Sequence, residues 1–395
     1  MRETVQIERE NKLLAKLNKH GLIDRKGIRY FFFMLYLFIY KFARRKYFQI
    51  KEFPSNIYLP KTNKLRFLIH INGGLGDAIC ARNLLNSIKN LLPKEKVQIF
   101  LCCKNKEIFN VFLKQENLAD YYISRGYLLH NFDIVLSGCT YLEYEKYNIK
   151  KINDMIPQFL PILKKGLERQ KQFNFFIKAD PYTDKLFTEE MISKHLNKIN
   201  TLLFFAGFQG QETPLFLKVQ NNEILNKYNL KNKKYIVVHY ESSEKQIKNY
   251  HPTRSWPKQN WIEFIKLFKN KYPEILLVQI SGNIALPNVD LCLCKKTNLL
   301  EFTKIIENAI MFIGGEGGPA HLSGFLNQKS IVLYGPSLAE FLTYPRNINL
   351  CSHTCTGCVW VTKNWRSACP LGYQTAPCMS NISPVQVMKE VEKLL

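Results

Sequence analysis

The sequence predicts an α/β protein of two doubly wound, Rossmann-like domains, and three observations carry that prediction. An apolar strand at 310–313 runs into Gly314-Gly315-Glu316-Gly317-Gly318-Pro319-Ala320-His321-Leu322 and straight on into a helix. A second junction of the same kind lies far upstream, where the apolar segment 65–71 meets Asn72-Gly73-Gly74-Leu75-Gly76-Asp77-Ala78 and a helix through about residue 92. Around both junctions apolar strands alternate with helical stretches, the order expected of parallel sheets with crossover helices. Such glycine turns bind anions. The N–H groups at a helix start lack intrahelical partners, the helix dipole favours negative charge there, and missing side chains let a phosphate approach the main chain. The first turn departs from G-x-G-x-x-G, with Asp77 just after its last glycine and no acidic residue placed for a ribose, which weighs against a dinucleotide-dependent dehydrogenase.

Residues 1–60 read as a basic, helical extension ending at Pro54 and Pro60. Within it, 28–48 (IRYFFFMLYLFIYKFARRKYF) sets aromatic and aliphatic residues among basic ones, and its uninterrupted apolar run, 30–40, is shorter than the roughly 20 residues a spanning helix needs. An interfacial helix with Lys41, Arg44, Arg45 and Lys46 on anionic headgroups is the favoured arrangement, and packing against the main body or a dimer partner is the alternative. Residues 61–228 form the first domain, with strands at 65–71, 97–102, 133–136 and 202–205. Residues 229–382 form the second. It has a strand at 235–240, a helix at 259–271, a strand at 275–280, a helix at 298–308, the glycine-rich unit, and a strand at 330–334 closing on Gly335-Pro336-Ser337. A parallel sheet in that order holds its ligand at the carboxyl ends of the strands. Trp256 and Trp261 are assigned to packing of the second domain's first helix. A last helix occupies 383–395, with Ser383 as N-cap and Pro384 at its first position.

At 395 residues, 46% hydrophobic and 22% charged, the chain is long and apolar enough for two globular domains. Its net charge of +24 is scattered, so it favours acidic surfaces or phosphorylated substrates in general; no nucleic-acid-binding module is recognisable. The polar N-terminus lacks the features of a secretory signal, which predicts a cytoplasmic protein. Eleven cysteines then mean thiols or a metal site in place of a disulfide framework. Cys80, Cys102, Cys103, Cys139, Cys292 and Cys294 lie in or beside apolar runs and read as buried structural thiols. The remaining five form Cys351-x3-Cys355-x2-Cys358-x10-Cys369-x8-Cys378, with His353 among them. Thiolates at this spacing suit a tetrahedral zinc or single-iron site of structural type, and unligated cytosolic thiols are the alternative.

Four motifs together carry a resemblance: N-G-G-L-G-D-A-I at 72–79, T-R-S-W-P-x3-W at 253–261, G-G-E-G-G-P-A-H-L at 314–322 and L-Y-G-P-S at 333–337. In that order, on those elements, they resemble glycosyltransferase family 9, the heptosyltransferase-like enzymes of the GT-B fold. The resemblance implies two Rossmann-like domains facing across a cleft, a nucleotide-sugar held mainly by the C-terminal one, and an acceptor brought in on the N-terminal one. It places Asp77 as general base for a single inverting displacement; capping of the helix start is the bland role of the same carboxylate. Arg254, Glu316, Gly317, Gly318 and His321, with Gly74 and Gly76, become the donor-binding candidates, and departure of a diphosphate needs no metal. For His321 a capping or core role is the alternative. The family usually has aspartate where this chain has Glu316. Cys355, Cys358, Cys369 and Cys378 resemble the iron-binding finger of the bacterial autotransporter heptosyltransferases, and Cys351 is a further candidate.

The function implied is transfer of a heptose-type sugar from a nucleotide donor, ADP-heptose foremost, to lipopolysaccharide core or a related cell-surface glycan, on the inner face of the cytoplasmic membrane. Heptosylation of an autotransporter protein is the rival within the enzyme class. A catalytically silent nucleotide-sugar-binding or membrane scaffold protein is the rival outside it.

Overall fold

In a computed structural model of the protein, the described residues are 62–395 without 124–126, 180–183, 210–212, 219–222, 241–251, 281, 283 and 363, together with Leu59 and scattered positions between 32 and 47. They divide into two compact units. The described residues of Asn18–Pro181 and Glu190–Leu215 form one, and those of Tyr182–Glu189 and Phe216–Leu395 the other.

The first unit is built on β1 (Leu65–Ile71), α1 (Leu75–Leu91), β2 (Val97–Cys102), β3 (Tyr121–Ile123), β4 (Ile134–Gly138), β5 (Leu142–Tyr147), α2 (Leu160–Gln172) and α3 (Lys198–Phe205). Its sheet runs β3-β2-β1-β4-β5, parallel except for the antiparallel edge strand β5. β1 is buried at every position but Arg66 and His70, as a central parallel strand covered on both faces must be. The segment 202–205, expected as a strand, is instead the end of α3. A four-residue apolar run has no period by which a buried helix differs from a buried strand. The deciding signals flank it: the Asn197 side chain accepts from the Asn200 N–H, and at the far end Gly207 takes φ +94°. The Gly207 N–H donates to Phe204 O and the Phe208 N–H to Leu203 O, which closes the helix as a Schellman motif.

The second unit contains β6 (Tyr235–His239), α4 (Lys258–Lys271), β7 (Leu276–Ile280), β8 (Leu291–Leu293), α5 (Leu299–Glu307), β9 (Phe312–Gly315), α6 (Gly318–Phe325), β10 (Ser330–Tyr334), β11 (Asn347–Cys351) and α7 (Pro384–Leu394). All six strands are parallel, in the order β11-β10-β9-β6-β7-β8. α4 buries Trp261, Phe264, Ile265 and Phe268, the i, i+3, i+4, i+7 stripe of a helix with one apolar face. Trp256 and Trp261 are both core residues, edge to face at 5.0 Å, and the Trp256 indole donates to Ile382 O. Ser383 caps α7 as expected, accepting from the Gln386 N–H at 3.2 Å while Gln386 accepts from the Ser383 N–H at 2.7 Å.

Each sheet has one place where the chain reverses its direction of growth, between β1 and β4 in the first and between β6 and β9 in the second. Open parallel sheets bind ligands at such switch points, outside the carboxyl ends of the strands. The two glycine turns follow β1 and β9, so both lie there. Of the six cysteines expected in the core, Cys80, Cys102 and Cys103 are buried, whereas Cys139, Cys292 and Cys294 are only half-buried. Cys292 lies on the edge strand β8, and Cys294 and Cys139 in the turns after β8 and β4, where an apolar neighbourhood in sequence does not mean cover in space.

Candidate active-site residues

The Asp77 carboxylate occupies the first turn of α1. Its Oδ2 accepts from the Gly74 N–H at 2.8 Å, and its Oδ1 is hydrogen bonded to the Lys198 ammonium at the start of α3. The capping role and the charged role therefore coexist in one side chain. A Cβ on Gly73 would sit 1.8 Å from Asp77 Oδ2, so that glycine is required by the close approach of the carboxylate. Gly74, by contrast, borders open space, and Gly76 is buried in the first turn. Lys198 is largely buried, with 12% of its side chain exposed. Burial disfavours its ammonium, but the charges of Asp77, Cys80 and Cys139 and the Asp77 hydrogen bond outweigh that and hold its pKa above the ordinary lysine range. A carboxylate has about four lone-pair sites, so Asp77 keeps acceptor capacity beyond these two bonds. Lys198 was not foreseen in the sequence.

In the second unit Arg254, Glu316 and the glycines of the β9–α6 turn come together. Arg254 Nη2 donates to Glu316 O at 2.9 Å and pairs with Glu316 Oε2 at 2.8 Å, and Ser337 Oγ donates to the same carboxylate oxygen at 3.0 Å. Glu316 thus holds the arginine as well as standing at the turn. The glycines divide by what surrounds them. A Cβ on Gly314 would meet Phe312 at 2.8 Å and one on Gly315 would meet Arg254 O at 2.9 Å, so packing of the protein explains both. At Gly317, φ +157°, a Cβ would have only Arg254 Nη2 (3.5 Å) and Pro319 within 4 Å, which leaves the backbone open at the start of α6. Gly318 is the first residue of that helix.

His321 is buried in α6 with Nδ1 2.6 Å from the Tyr344 hydroxyl, and its ring lies edge to face with that tyrosine. A second histidine, His239, ends β6 directly opposite Gly314. It is 7% exposed, its Nδ1 is buried without a hydrogen-bond partner, and burial together with the Arg254 charge pushes its pKa down to about 4. A neutral imidazole therefore stands at the β6–β9 switch point. One histidine at the end of YIVVH carries no motif, so nothing in the sequence marked it.

Among the Cys-rich residues, Cys355, Cys358 and Cys378 are buried. A hydrogen bond with Cys355, burial, and the charges of Cys358, Cys355 and Cys369 together raise the Cys378 pKa far above the usual thiol range. These four thiols share one electrostatic neighbourhood. Cys351, at the end of β11, is pushed up to about 11 by burial and by Glu340, and none of the four contributes to that shift. As the side chains stand, no group of three His, Cys, Asp or Glu among the described residues is arranged to hold a metal ion. Among the described residues, too, no helix is long and apolar enough to cross a membrane.

Two doubly wound domains, with Asp77 at the switch point of one and Arg254 beside the glycine turn of the other, define an α/β protein of the GT-B class. Comparison with known proteins agrees. Residues 184–368 match the model of glycosyltransferase family 9 (heptosyltransferase). Lipooligosaccharide heptosyltransferase 2 of Campylobacter jejuni is 23% identical over 341 residues, covering 84% of this chain and 99% of its own. Among solved structures, the dodecameric iron-containing heptosyltransferase TibC in complex with ADP-D-beta-D-heptose matches with a TM-score of 0.58 at 15% identity, over 85% of this chain and 77% of that one. The E. coli ADP-heptose lps heptosyltransferase II matches with a TM-score of 0.54 at 13% identity, over 84% and 98%. Over residues 184–368 the chain carries the glycosyltransferase family 9 pattern, and it is a glycosyltransferase.

Proposed function

We propose that this glycosyltransferase moves a heptose-type sugar from ADP-heptose onto lipopolysaccharide core or a related cell-surface glycan, with inversion at the anomeric carbon. The observation that carries the reading is Asp77, a carboxylate fixed at the switch point of the N-terminal domain. It takes the proton of the acceptor hydroxyl as that oxygen attacks the anomeric carbon; the bond from that carbon to the diphosphate oxygen breaks and its electron pair leaves with ADP. Arg254 and the N–H groups at Gly317 and Gly318 meet the charge that develops on the diphosphate, so the displacement needs no cofactor. Residues 61–228 receive the acceptor, 229–382 the donor, with 383–395 closing the second domain, and Glu316 and His321 line the donor side. The donor is supported by the ADP-heptose held in TibC, and the glycan acceptor by the Campylobacter relative.

Incubation of the full chain with ADP-heptose and either truncated lipopolysaccharide core or an autotransporter adhesin fragment tests this. Release of ADP with a heptose mass gained by the glycan is expected. Transfer to the adhesin fragment alone would replace the glycan by a protein acceptor, a reading favoured by the cysteine quartet. Absence of nucleotide release with either acceptor, from any donor, would overturn the function.

The thiol donor set fits a structural zinc or iron ion held by Cys355, Cys358, Cys369 and Cys378, with Cys351 outside it. About one metal per chain is expected by elemental analysis of reduced protein, and Cys358→Ser should remove it and lower the melting temperature. Metal near zero in the unaltered protein would leave ordinary thiols.

The described positions between 32 and 47 include Phe32, Phe38, Ile39 and Phe42, each 55–68% exposed. With the neighbouring basic residues they suit an interfacial helix on the cytoplasmic face of the membrane. Loss of binding to anionic vesicles on removal of 1–50, with activity kept on a soluble acceptor, is the outcome that supports it; unfolding of the shortened chain would place the segment in the body of the protein.

A further inference from the structure

The Cys-rich segment touches the proposed donor site on two sides. On one, the Thr253 N–H donates to Arg366 O at 3.1 Å and the Thr253 hydroxyl donates to Trp365 O at 2.7 Å, while Cys378 Sγ lies 3.9 Å from Thr253 O. Thr253 and Trp365 are both almost fully buried. The next residue, Arg254, has its guanidinium 5.9 Å from the Trp365 ring centroid. On the other side, the Thr356 hydroxyl donates to Gly335 O at 3.0 Å and the Val359 N–H to Pro336 O at 3.1 Å. That strap leads to Ser337, the residue bonded to Glu316. Gly335 itself has room for no side chain, since a Cβ there would meet Thr253 O at 2.9 Å.

From this geometry we infer that the Cys-rich segment is the positioning element of the Arg254–Glu316 pair, acting through Thr253 and Trp365, and that ADP affinity depends on it. The physical argument is one of entropy and alignment. A long arginine on a loop loses rotamer freedom when it grips a diphosphate, and a site that has already fixed the guanidinium loses less on binding. Thr253 is held by two hydrogen bonds to the Cys-rich segment, its N–H to Arg366 O and its hydroxyl to Trp365 O, and the Arg254 guanidinium lies between the Trp365 indole of that segment and the Glu316 carboxylate. The inference rests on the assignment of Arg254 to the diphosphate.

The test is a double-mutant cycle read by calorimetric titration of ADP into the full-length protein. Thr253→Val, which keeps shape and removes the hydroxyl, should weaken ADP binding about tenfold, or about 1.4 kcal/mol, and Thr253→Ser should restore it. Combined with Arg254→Ala, Thr253→Val should cost nothing further, because it acts through the arginine. Wild-type affinity in Thr253→Val, or fully additive losses in the double variant, would overturn the inference while leaving Arg254 in place. If Arg254→Ala alone binds ADP like the parent, the donor-site assignment fails first and the inference with it. Should Thr253→Val lack a cooperative unfolding transition, Trp365→Phe replaces it in the same cycle with the same expectations.

Discussion

Asp77→Asn lowers turnover by on the order of a hundredfold or more and leaves ADP affinity unchanged. A positioned general base contributes roughly 10²–10⁴ in the transition state and nothing to the ground-state complex with the donor. The amide is nearly isosteric and can still accept from the Gly74 N–H, so the start of α1 keeps its cap. What it cannot do is take a proton. The substitution also leaves Lys198 without its counter-charge in a site only 12% exposed, so stability has to be followed alongside rate. Asp77→Asn should melt below the parent, and Asp77→Asn with Lys198→Met should recover part of that loss without recovering turnover. Full turnover in Asp77→Asn would remove the carboxylate from the reaction and leave it as a helix cap. A parallel loss of ADP affinity would show that the change had spread beyond the acceptor domain.

The parts of the fold that were legible in the sequence are those whose signal is local. The glycine turns at 72–78 and 314–322 announce themselves because close approaches, of Asp77 to Gly73, Phe312 to Gly314 and Arg254 to Gly315, together with the positive φ of Gly317, select glycine at neighbouring positions. Four strands of the second sheet, β6, β7, β9 and β10, read cleanly because each is a short apolar run bounded by turn residues, whereas the edge strands β8, three residues long, and β11, Asn347–Cys351, went unread; Ser383 before Pro384 marks a helix start by composition alone. What stayed hidden depends on contacts between distant positions. Lys198 meets Asp77 from 121 residues away, and it opens a helix whose apolar end read as strand, so the helix start that carries the lysine went unread. Misassigning one short element therefore concealed the partner of the residue most firmly assigned to catalysis. The same holds for Glu316. Its sequence neighbours suggest a ligand contact at the turn, but only the fold shows Arg254 and Ser337 converging on its carboxylate from loops 62 residues before and 21 after. In the cysteine run, spacing alone admitted five candidates; the fold sets Cys355, Cys358 and Cys369 near enough to act on Cys378, while Cys351 ends β11 near Glu340.

Lys198→Met should lower turnover about tenfold or more at neutral pH and move the acid limb of the kcat–pH profile upward by about one to three units. Two effects oppose each other. A cation at hydrogen-bond distance favours the ionised carboxylate, and the same attraction is seen on the lysine, whose pKa the Asp77 charge raises, so removing the ammonium withdraws that preference for the ionised form. A higher pKa makes Asp77 a stronger base, a gain expected to be below a decade per unit. Against it stands alignment. Lys198 and Gly74 hold the two carboxylate oxygens in place, and a displacement of about 1 Å at a reacting group can cost a hundredfold. Alignment is the larger of the two, so the net result is a loss. The sign in pH follows directly: the deficit is greatest on the acid side, where the variant's base is protonated first, and narrows as pH rises. Lys198→Arg keeps the cation and should hold the acid limb near its original position even where its longer fork costs rate. A uniform drop at every pH in Lys198→Met, with no movement of the limb, would mean that the ion pair serves the packing of α3 and that Lys198 does not act on the base.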